Sequence, residues 1–296
     1  MRSVSRLAVA AAALAISVAS GHAGLLVTGD GITGDYAVAD GTTLWSLISG
    51  VQTPVAPGYN AKNKILHNYV VAENAGGAIS VFSAGELNPS FGGTNTAPYI
   101  SAVGGEYGLV DPNAGAAARG VTDLTSLTVV AVPALASSAG GVSSGFTLSG
   151  LVTNPGSYTY AGLQAFPPAS ATVSGSTYDG TSLYGFLDPA NASALSAIVA
   201  VGATDGYLAV FSLAELDPAL GGNPDNLLAY AGATFPGAGV ARIVTPSDNM
   251  HGRWVSNIDS IGVTAVPEPS AWAMLLAGFA GLGLMARRAK RTLRTA

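Results

Sequence analysis

The chain has 296 residues, no cysteine and a formal net charge of −5. Its basic residues are concentrated at the two ends, so residues 24–269 hold five basic and seventeen acidic side chains, a net charge of −12. A segment this acidic repels phosphate backbones, which argues against nucleic acid as a partner. Disulfides are unavailable, so stability must come from a buried core, and the abundance of Gly, Ala, Ser and Thr favours a strand-rich fold with many turns.

The N-terminus has the three-part layout of a secretory signal peptide. Arg2 and Arg6 form a short basic region, an apolar run follows from Leu7 to Val18, and small residues lead to Ala23. The pattern predicts export and cleavage after Ala23, which makes residues 1–23 the signal peptide.

Three phrases occur twice along the chain, in the same order. They are DGTTLWSLI and DGTSLYGFL (40–48 and 179–187), VFSAGELNPSFGG and VFSLAELDPALGG (81–93 and 210–222), and RGVTDLTSLTVVAVP and RWVSNIDSIGVTAVP (119–133 and 253–267). Three matches in register predict two related units. We place the first repeat at 24–133, a linker of small residues at 134–145, and the second repeat at 146–265.

Each repeat is predicted to contain the same succession of elements. The DGT phrase indicates a turn and a short helix, an apolar strand then ends at Val81-Phe82 or at Tyr207 to Phe211, and alternating apolar residues close the repeat with a strand. The second repeat begins with a further strand, a turn at 154–156 and a short helix, whereas the first has only a short stretch there and is predicted to be truncated.

The middle phrase predicts a helix start. Each copy has a serine followed three residues later by a glutamate: Ser83 and Glu86, Ser212 and Glu215. This is the capping-box pattern, which satisfies two free backbone donors. Pro89 and Pro218 are then expected to end the helix after one turn. A functional role for the two glutamates stays open as the alternative.

The C-terminal 31 residues have three parts. Pro267, Glu268 and Pro269 come first, an uncharged apolar stretch spans 270–286, and the basic tail 287–296 follows. A helix of this stretch would be ~25 Å long, near the lower limit for crossing a bilayer, and the basic tail predicts a cytoplasmic end.

These residues resemble the PEP-CTERM sorting signal, a segment also called the ice-binding-protein C-terminal domain. The resemblance covers 266–296 and implies that an exosortase-type enzyme recognises the triplet Pro267, Glu268 and Pro269. It further implies an inner-membrane anchor through the C-terminal transmembrane helix, followed by a surface or extracellular location after processing. A plain membrane anchor is the alternative.

The second repeat resembles the molybdopterin-binding domain of the sulfite-oxidase-like fold. The resemblance is carried by FTLSGLVTNPGSYTYAGLQAFP, DGTSLYGFL, DGYLAVFSLAELDP and RIVTPSDNMHGRWVSNIDSIGV, across roughly 145–263. It implies a strand-rich α+β fold, here two related mixed-sheet units. The family's metal is held by a cysteine that this chain lacks, and only Arg242 and Arg253 are candidates for contacting a cofactor phosphate.

Other motifs are weak. Residues 141–145 match the nucleophile-elbow pattern but lie in the predicted linker, and 29–34 match a dinucleotide-binding pattern without room for the required helix. His67 and His251 are far apart in sequence for a zinc site. A calcium site is the alternative to a solvated face for the loosely grouped acids Asp205, Glu215, Asp217 and Asp225.

The sequence therefore predicts an exported, exosortase-sorted protein of the cell surface or extracellular matrix with a non-catalytic structural or interaction role. We predict no catalytic residue, no cofactor and no metal site. The alternatives are a molybdopterin-type, oxidoreductase-like cofactor binder and an exopolysaccharide-binding module, and exopolysaccharide is a candidate partner.

Overall fold

In the computed structural model the described residues are 24–52, 62–92, 97–113, 115–132, 140–232 and 239–267. Residues Gly24–Glu268 form one compact unit, which we call the body. The predicted signal peptide, part of the predicted linker and residues 268–296 of the sorting signal lie outside the described residues. No helix within the described ranges is long and apolar enough to cross a membrane.

The first repeat holds eight strands and two short α-helices in its described residues. They are β1 (Leu25–Gly29), β2 (Ile32–Tyr36), β3 (Thr42–Thr43), α1 (Leu44–Ile48), β4 (Asn68–Asn74), β5 (Ile79–Ser83), α2 (Ala84–Leu87), β6 (Tyr99–Val103), β7 (Glu106–Val110) and β8 (Leu124–Ala131). Two 3₁₀ helices, Lys64–His67 and Ala116–Arg119, precede β4 and β8.

The second repeat continues the same order with additions. Its elements are β9 (Phe146–Gly150), β10 (Gly156–Tyr158), α3 (Tyr160–Leu163), β11 (Ala169–Val173), β12 (Ser176–Ser182), α4 (Leu183–Leu187), β13 (Ala197–Ala203), β14 (Leu208–Ser212), β15 (Leu227–Gly232), β16 (Arg242–Val244) and β17 (Ile258–Ala265). Its 3₁₀ helices are Ala194–Ser196, Pro218–Leu220 and His251–Arg253. Helix α3 and strand β11 have no counterpart between β2 and β3.

Each repeat builds one five-stranded mixed sheet, and the two sheets have matching topology. The strand orders are β2-β1-β8-β4-β5 and β10-β9-β17-β13-β14. The β1–β8 and β9–β17 pairs are parallel and every other pair is antiparallel. The pairing register shifts at Glu73 in β4 and at Gly202 in β13, which are corresponding positions. The prediction of a strand-rich α+β fold with mixed sheets is confirmed.

A smaller sheet accompanies each large one, in the orders β3-β6-β7 and β11-β12-β15-β16. The predicted short helices follow directly from these sheets. Thr43 caps α1 by accepting a hydrogen bond from the Ser46 N–H, and Ser182 does the same for α4 through the Gly185 N–H. Both caps are the fourth residue of a DGT phrase, so this part of the sequence prediction is confirmed.

The two large sheets pack against each other, and this contact sets the position of the candidate site. Along β4, Val70 and Ala72 belong to the core of the first repeat, whereas Tyr69 and Val71 belong to a separate cluster shared with Ile198, Ala200, Leu208 and Val210 of β13 and β14. Strands buried on both faces read as continuous apolar runs, which explains why all of β13 is buried. The last residues of β5 and β14 therefore come together in the interior.

Candidate functional site at the junction of the two repeats

The repeated serine–glutamate phrase forms a capping box in both repeats. In the first, the Glu86 N–H donates to Ser83 Oγ at 3.0 Å and the Ser83 N–H donates to Glu86 Oε1 at 2.7 Å. In the second, the Glu215 N–H donates to Ser212 Oγ at 3.1 Å and the Ser212 N–H donates to Glu215 Oε1 at 2.9 Å. The predicted capping role is confirmed on both sides.

The helix that follows the box forms in only one copy. The first phrase continues into α2, whereas the second forms a hydrogen-bonded turn in which the Leu216 and Asp217 N–H groups both donate to the Leu213 carbonyl. Pro218 does not end a helix, as the sequence predicted, but begins the 3₁₀ helix Pro218–Leu220. Asp217 caps that helix, and proline suits a first helical position because its missing N–H has no partner to lose there.

Each glutamate also reaches across to the other repeat. Ser83 Oγ donates to Glu215 Oε1 at 2.7 Å, and Ser212 Oγ donates to Glu86 Oε1 at 2.7 Å. The two capping boxes are therefore interlocked by a reciprocal pair of hydrogen bonds. Such reciprocity is the mark of an isologous contact, in which the same surface is used on both sides.

Two arginines complete the site, one from each repeat. Arg119 lies 2.9 Å from Glu86 and 3.4 Å from Asp111, with its guanidinium 4.2 Å from the Phe82 ring centre. Arg253 bonds to Glu215 and lies 2.6 Å from Asp248, with its guanidinium 5.1 Å from the Phe211 ring centre. We call the six charged residues the junction cluster: Glu86, Asp111, Arg119, Glu215, Asp248 and Arg253.

Loops from each repeat close over the cluster on opposite sides. A Cβ on Gly115 would lie 2.9 Å from the backbone nitrogen of Gly221, so the loop before β8 touches the second repeat. The loop before β17 touches the first repeat in return, because Gly252 lies against the Phe91 ring and the Asn249 side chain donates to the Pro89 carbonyl. All six side chains of the junction cluster are at most 8% exposed as a result.

The two halves of the cluster are not equivalent. Arg253 makes a fork-shaped pair with Asp248, donating from Nε at 2.8 Å and from NH2 at 2.6 Å. In the first repeat, Arg119 Nε and Asp111 Oδ2 are buried without a hydrogen-bond partner among the described residues. Carboxylate binding is strongest when both arms of the guanidinium fork are used, so the first half is held more loosely.

The buried charges of the cluster change the pKa of one glutamate, Glu86. Burial raises the pKa of Glu86 to about 7, with the nearby Glu215 adding to the rise and Arg119 opposing it. Burial lowers the pKa of the Arg253 guanidinium, but attraction to Glu215 and Asp248 outweighs that effect and the net pKa is raised. Arg253 is thus charged at every accessible pH, while Glu86 changes its charge near neutrality.

A cleft of about 180 Å³ opens beside Glu86. Thr43, Trp45 and Asn88 form part of its wall. At the corresponding place in the second repeat, the hydroxyl of Tyr184 bonds to Asp217, and burial together with that bond raises the Tyr184 pKa to about 12. The first repeat therefore has a cleft next to Glu86 where the second repeat has the Tyr184–Asp217 bond.

The remaining sequence candidates take structural roles. Gly29, Gly31 and Gly34 lie in the β1–β2 hairpin, with Gly31 at φ 82° in its turn. Ser143 lies in a bend before β9 and accepts a hydrogen bond from the Val240 N–H, so it is not on a strand-to-helix elbow. Arg242 donates to Ser256 Oγ at 2.7 Å.

The structure separates the candidate metal ligands. Glu215 is buried in the junction cluster, whereas Asp217 caps a 3₁₀ helix and Asp205 accepts a hydrogen bond from the Tyr207 N–H. His67 is buried at the end of its 3₁₀ helix, and His251 stacks on Trp254 with ring centres 3.9 Å apart. Within the described ranges, no three His, Asp or Glu side chains come together as a set that could hold a metal ion.

Sequence reasoning missed Arg119, Asp111 and Asp248, and it considered Arg253 only as a candidate for contacting a cofactor phosphate. A signal for the arginines exists, because Arg119 and Arg253 each begin a copy of the third repeated phrase. The repeated arginine is the basic partner that the repeated glutamate needs once both are buried.

Comparison with known proteins identifies the C-terminal segment. Residues 265–291 match the PEP-CTERM protein-sorting motif. This motif supports an exported protein that is anchored at its C-terminus and then processed by an exosortase. Pro267 is exposed at the end of the described body, and residues 268–291 of the motif lie outside the described residues.

No curated protein matches the chain at a significant level. Among solved structures, the sulfane dehydrogenase SoxCD from Paracoccus pantotrophus is similar, with a TM-score of 0.33 and 17% identity over 58% of this chain. The matched region covers 48% of that protein, and a likeness at this level carries no argument about activity.

Proposed function

We propose that the protein is displayed at the cell surface or in the extracellular matrix, where its duplicated body has a non-catalytic structural or interaction role. The observation that supports this proposal is the set of bonds made by the residues that occur in both repeats. Ser83 and Glu86 bond across the junction to their second-repeat counterparts, and Arg119, like its counterpart, pairs with the glutamate of its own repeat inside the body.

The sorting motif supplies the location in this proposal. An exosortase-type enzyme is the proposed processing partner, and the C-terminal apolar stretch is the proposed inner-membrane anchor before processing. The acidic body is repelled by anionic lipid headgroups, so its own surface adds little to membrane attachment.

The cofactor-binding alternative is disfavoured by the state of Arg253. This arginine is a candidate for holding a cofactor phosphate, but both ends of its guanidinium bond to carboxylates inside the body. A phosphate would have to displace Glu215 or Asp248 and break the junction. The likeness of the body to the sulfite-oxidase-like fold therefore enters the proposal as architecture and not as chemistry.

The test compares loss of function with loss of stability. In a deletion strain complemented with variants, a structural role predicts that surface or matrix phenotypes follow the fraction of protein folded. Variants in the junction cluster should complement the deletion less well the more stability they lose, and the exposed Glu106→Gln should complement fully. A variant that abolishes function while keeping the wild-type melting temperature would locate a dedicated site and contradict the proposal.

Elemental analysis of the processed protein separates the alternatives. We expect no molybdenum or tungsten after purification from the native host. Stoichiometric amounts of either metal would replace the structural proposal with the cofactor-binding one. Retardation of the protein in gels containing the host exopolysaccharide would identify the partner of an interaction role.

A further inference from the structure

We propose that Glu86 and Glu215 form a proton-operated latch between the two repeats, which holds the junction tightly when a proton is bound and weakens it when that proton leaves. The inference rests on the geometry of the junction cluster and is independent of the proposed function. It concerns how firmly the repeats are joined, whatever the body binds.

The charge count of the cluster calls for a bound proton. Four carboxylates, those of Glu86, Asp111, Glu215 and Asp248, face only the two guanidiniums of Arg119 and Arg253. With every group ionised, the cluster would hold two uncompensated negative charges inside the body. Burial without compensation strongly disfavours the charged form of a carboxyl group, so proton uptake is the least costly remedy.

Within the described ranges, Arg119 is the basic group whose charge acts on Glu86. The 3₁₀ helix Lys64–His67 packs against α2 and β14, but Lys64 is exposed and burial lowers the pKa of His67, which is therefore neutral near pH 7. The loops that close over the cluster contribute Asp111 and Arg119 from one repeat and Asp248 and Arg253 from the other. The groups facing the glutamates are thus already included in the count.

Glu86 is the site of the proton for two structural reasons. Its half of the cluster is the looser one, because Asp111 and Arg119 do not form the fork-shaped pair that Asp248 and Arg253 form. It also lies in the wall of the cleft, whereas the second repeat has the Tyr184–Asp217 bond at the corresponding place. The pKa of about 7 agrees with this placement.

The direction of the effect follows from linkage. The pKa of Glu86 is raised to about 7 in the folded protein from an ordinary value of 4.5, so the folded state binds more protons than the unfolded state between those values. Stability from this group is complete below 4.5 and is lost as the pH rises through about 7. Above it, two ionised glutamates face each other across the serine bridges.

The test is chemical unfolding of the mature protein between pH 5 and 8.5, wild type against Glu86→Gln. In this window the unfolding equilibrium constant of the wild type should increase relative to the variant by up to about tenfold per pH unit, the slope for one proton. Glutamine copies the neutral carboxyl group and removes the titration. Glu106→Gln, at an exposed glutamate, is the matched control and should keep the wild-type slope.

A second measurement works in the folded wild type, so it does not depend on any variant folding. With glutamate labelled by ¹³C at the side-chain carboxyl carbon, one resonance should titrate near pH 7, above the ordinary range of a glutamate. The protection of the Ser83 and Ser212 amides against hydrogen exchange, relative to their intrinsic rates at each pH, should also fall above this pH, because both donate into the latch. The proposal is overturned if no glutamate titrates above pH 6, or if Glu86→Gln keeps the wild-type slope.

Discussion

Removing the Glu215 carboxylate should cost far more than a helix cap. A lost cap lowers the free energy of unfolding by about 1 kcal/mol. Glu215 also bonds to Arg253 and accepts the Ser83 hydroxyl of the other repeat, at a side-chain exposure of 7%. Breaking a buried ion pair by removing one partner costs about 3–5 kcal/mol, because the remaining charge stays buried.

We expect Glu215→Ala to fall near the lower end of this range. Arg253 keeps its fork-shaped pair with Asp248, so its charge is only partly uncompensated after the change. The assay is urea unfolding of the mature protein at fixed pH, with the free energy taken from linear extrapolation. Asp217→Ala is the matched control, because it removes a carboxylate that also caps a short helix but lies outside the junction cluster. With the bond from Tyr184 lost as well, it should cost about 1–2 kcal/mol.

A double variant makes the reasoning refutable. Replacing Arg253 by methionine leaves both Glu215 and Asp248 buried without their cation, whereas the same change in the Glu215→Ala background leaves only Asp248. The double variant should therefore cost less than the sum of the two single variants. If Glu215→Ala costs no more than Asp217→Ala, or if the methionine adds its full destabilisation, the ion pair does not stabilise the junction and Glu215 is only a cap.

The remaining predictions concern a tight backbone contact and the processing of the chain. Gly150→Ala should abolish cooperative unfolding in circular dichroism, because Gly150 has φ 90° and a Cβ would lie 1.9 Å from a carbonyl oxygen of β17; Gly175→Ala, at φ 78° in open space, should cost only about 1–2 kcal/mol. N-terminal sequencing should find the mature chain beginning at Gly24, and retention of the initiator methionine would contradict export. Changing residues 267–269 to alanine should leave the full-length protein in the inner membrane, as detected by fractionation with an epitope in the 134–145 linker; normal maturation would instead indicate a plain anchor.

The sequence predicted local structure well where a short motif is sufficient to determine it. The capping boxes at Ser83 and Ser212 and the helices after the DGT phrases depend on residues within a few positions of one another, so pattern and structure agree. The matching of the three phrases indicated the duplication for a similar reason. Nothing in a single phrase, however, predicted the parallel pairing of β1 with β8, whose strands are about a hundred residues apart.

The junction cluster could not be predicted from the sequence, because its members are distant along the chain and none has a distinctive local pattern. Asp111 and Asp248 look like ordinary loop acids, and they occupy positions outside the repeated phrases. Glu215 was placed in a loose acidic group, since acids are usually exposed unless they are paired. Only the packing of the two large sheets reveals that β5 and β14 end face to face, which turns two local caps into one shared site.

The same packing explains why the chain retains the phrase VFS–E–L–P–GG in two copies. In an isologous contact each interaction occurs twice, here as the serine of one repeat donating to the glutamate of the other. Ser83 and Glu86 must therefore fit Ser212 and Glu215 as closely as they fit each other, and a change on one side leaves a buried polar group without its partner on the other. Away from the contact the repeats are under no such constraint, and Trp45 beside an open cleft corresponds to Tyr184 bonded to Asp217. The serine–glutamate bonds of the junction are symmetric, but the arginine pairing and the cleft around them are not. We therefore expect the proton to bind in the looser half of the cluster, which belongs to the first repeat.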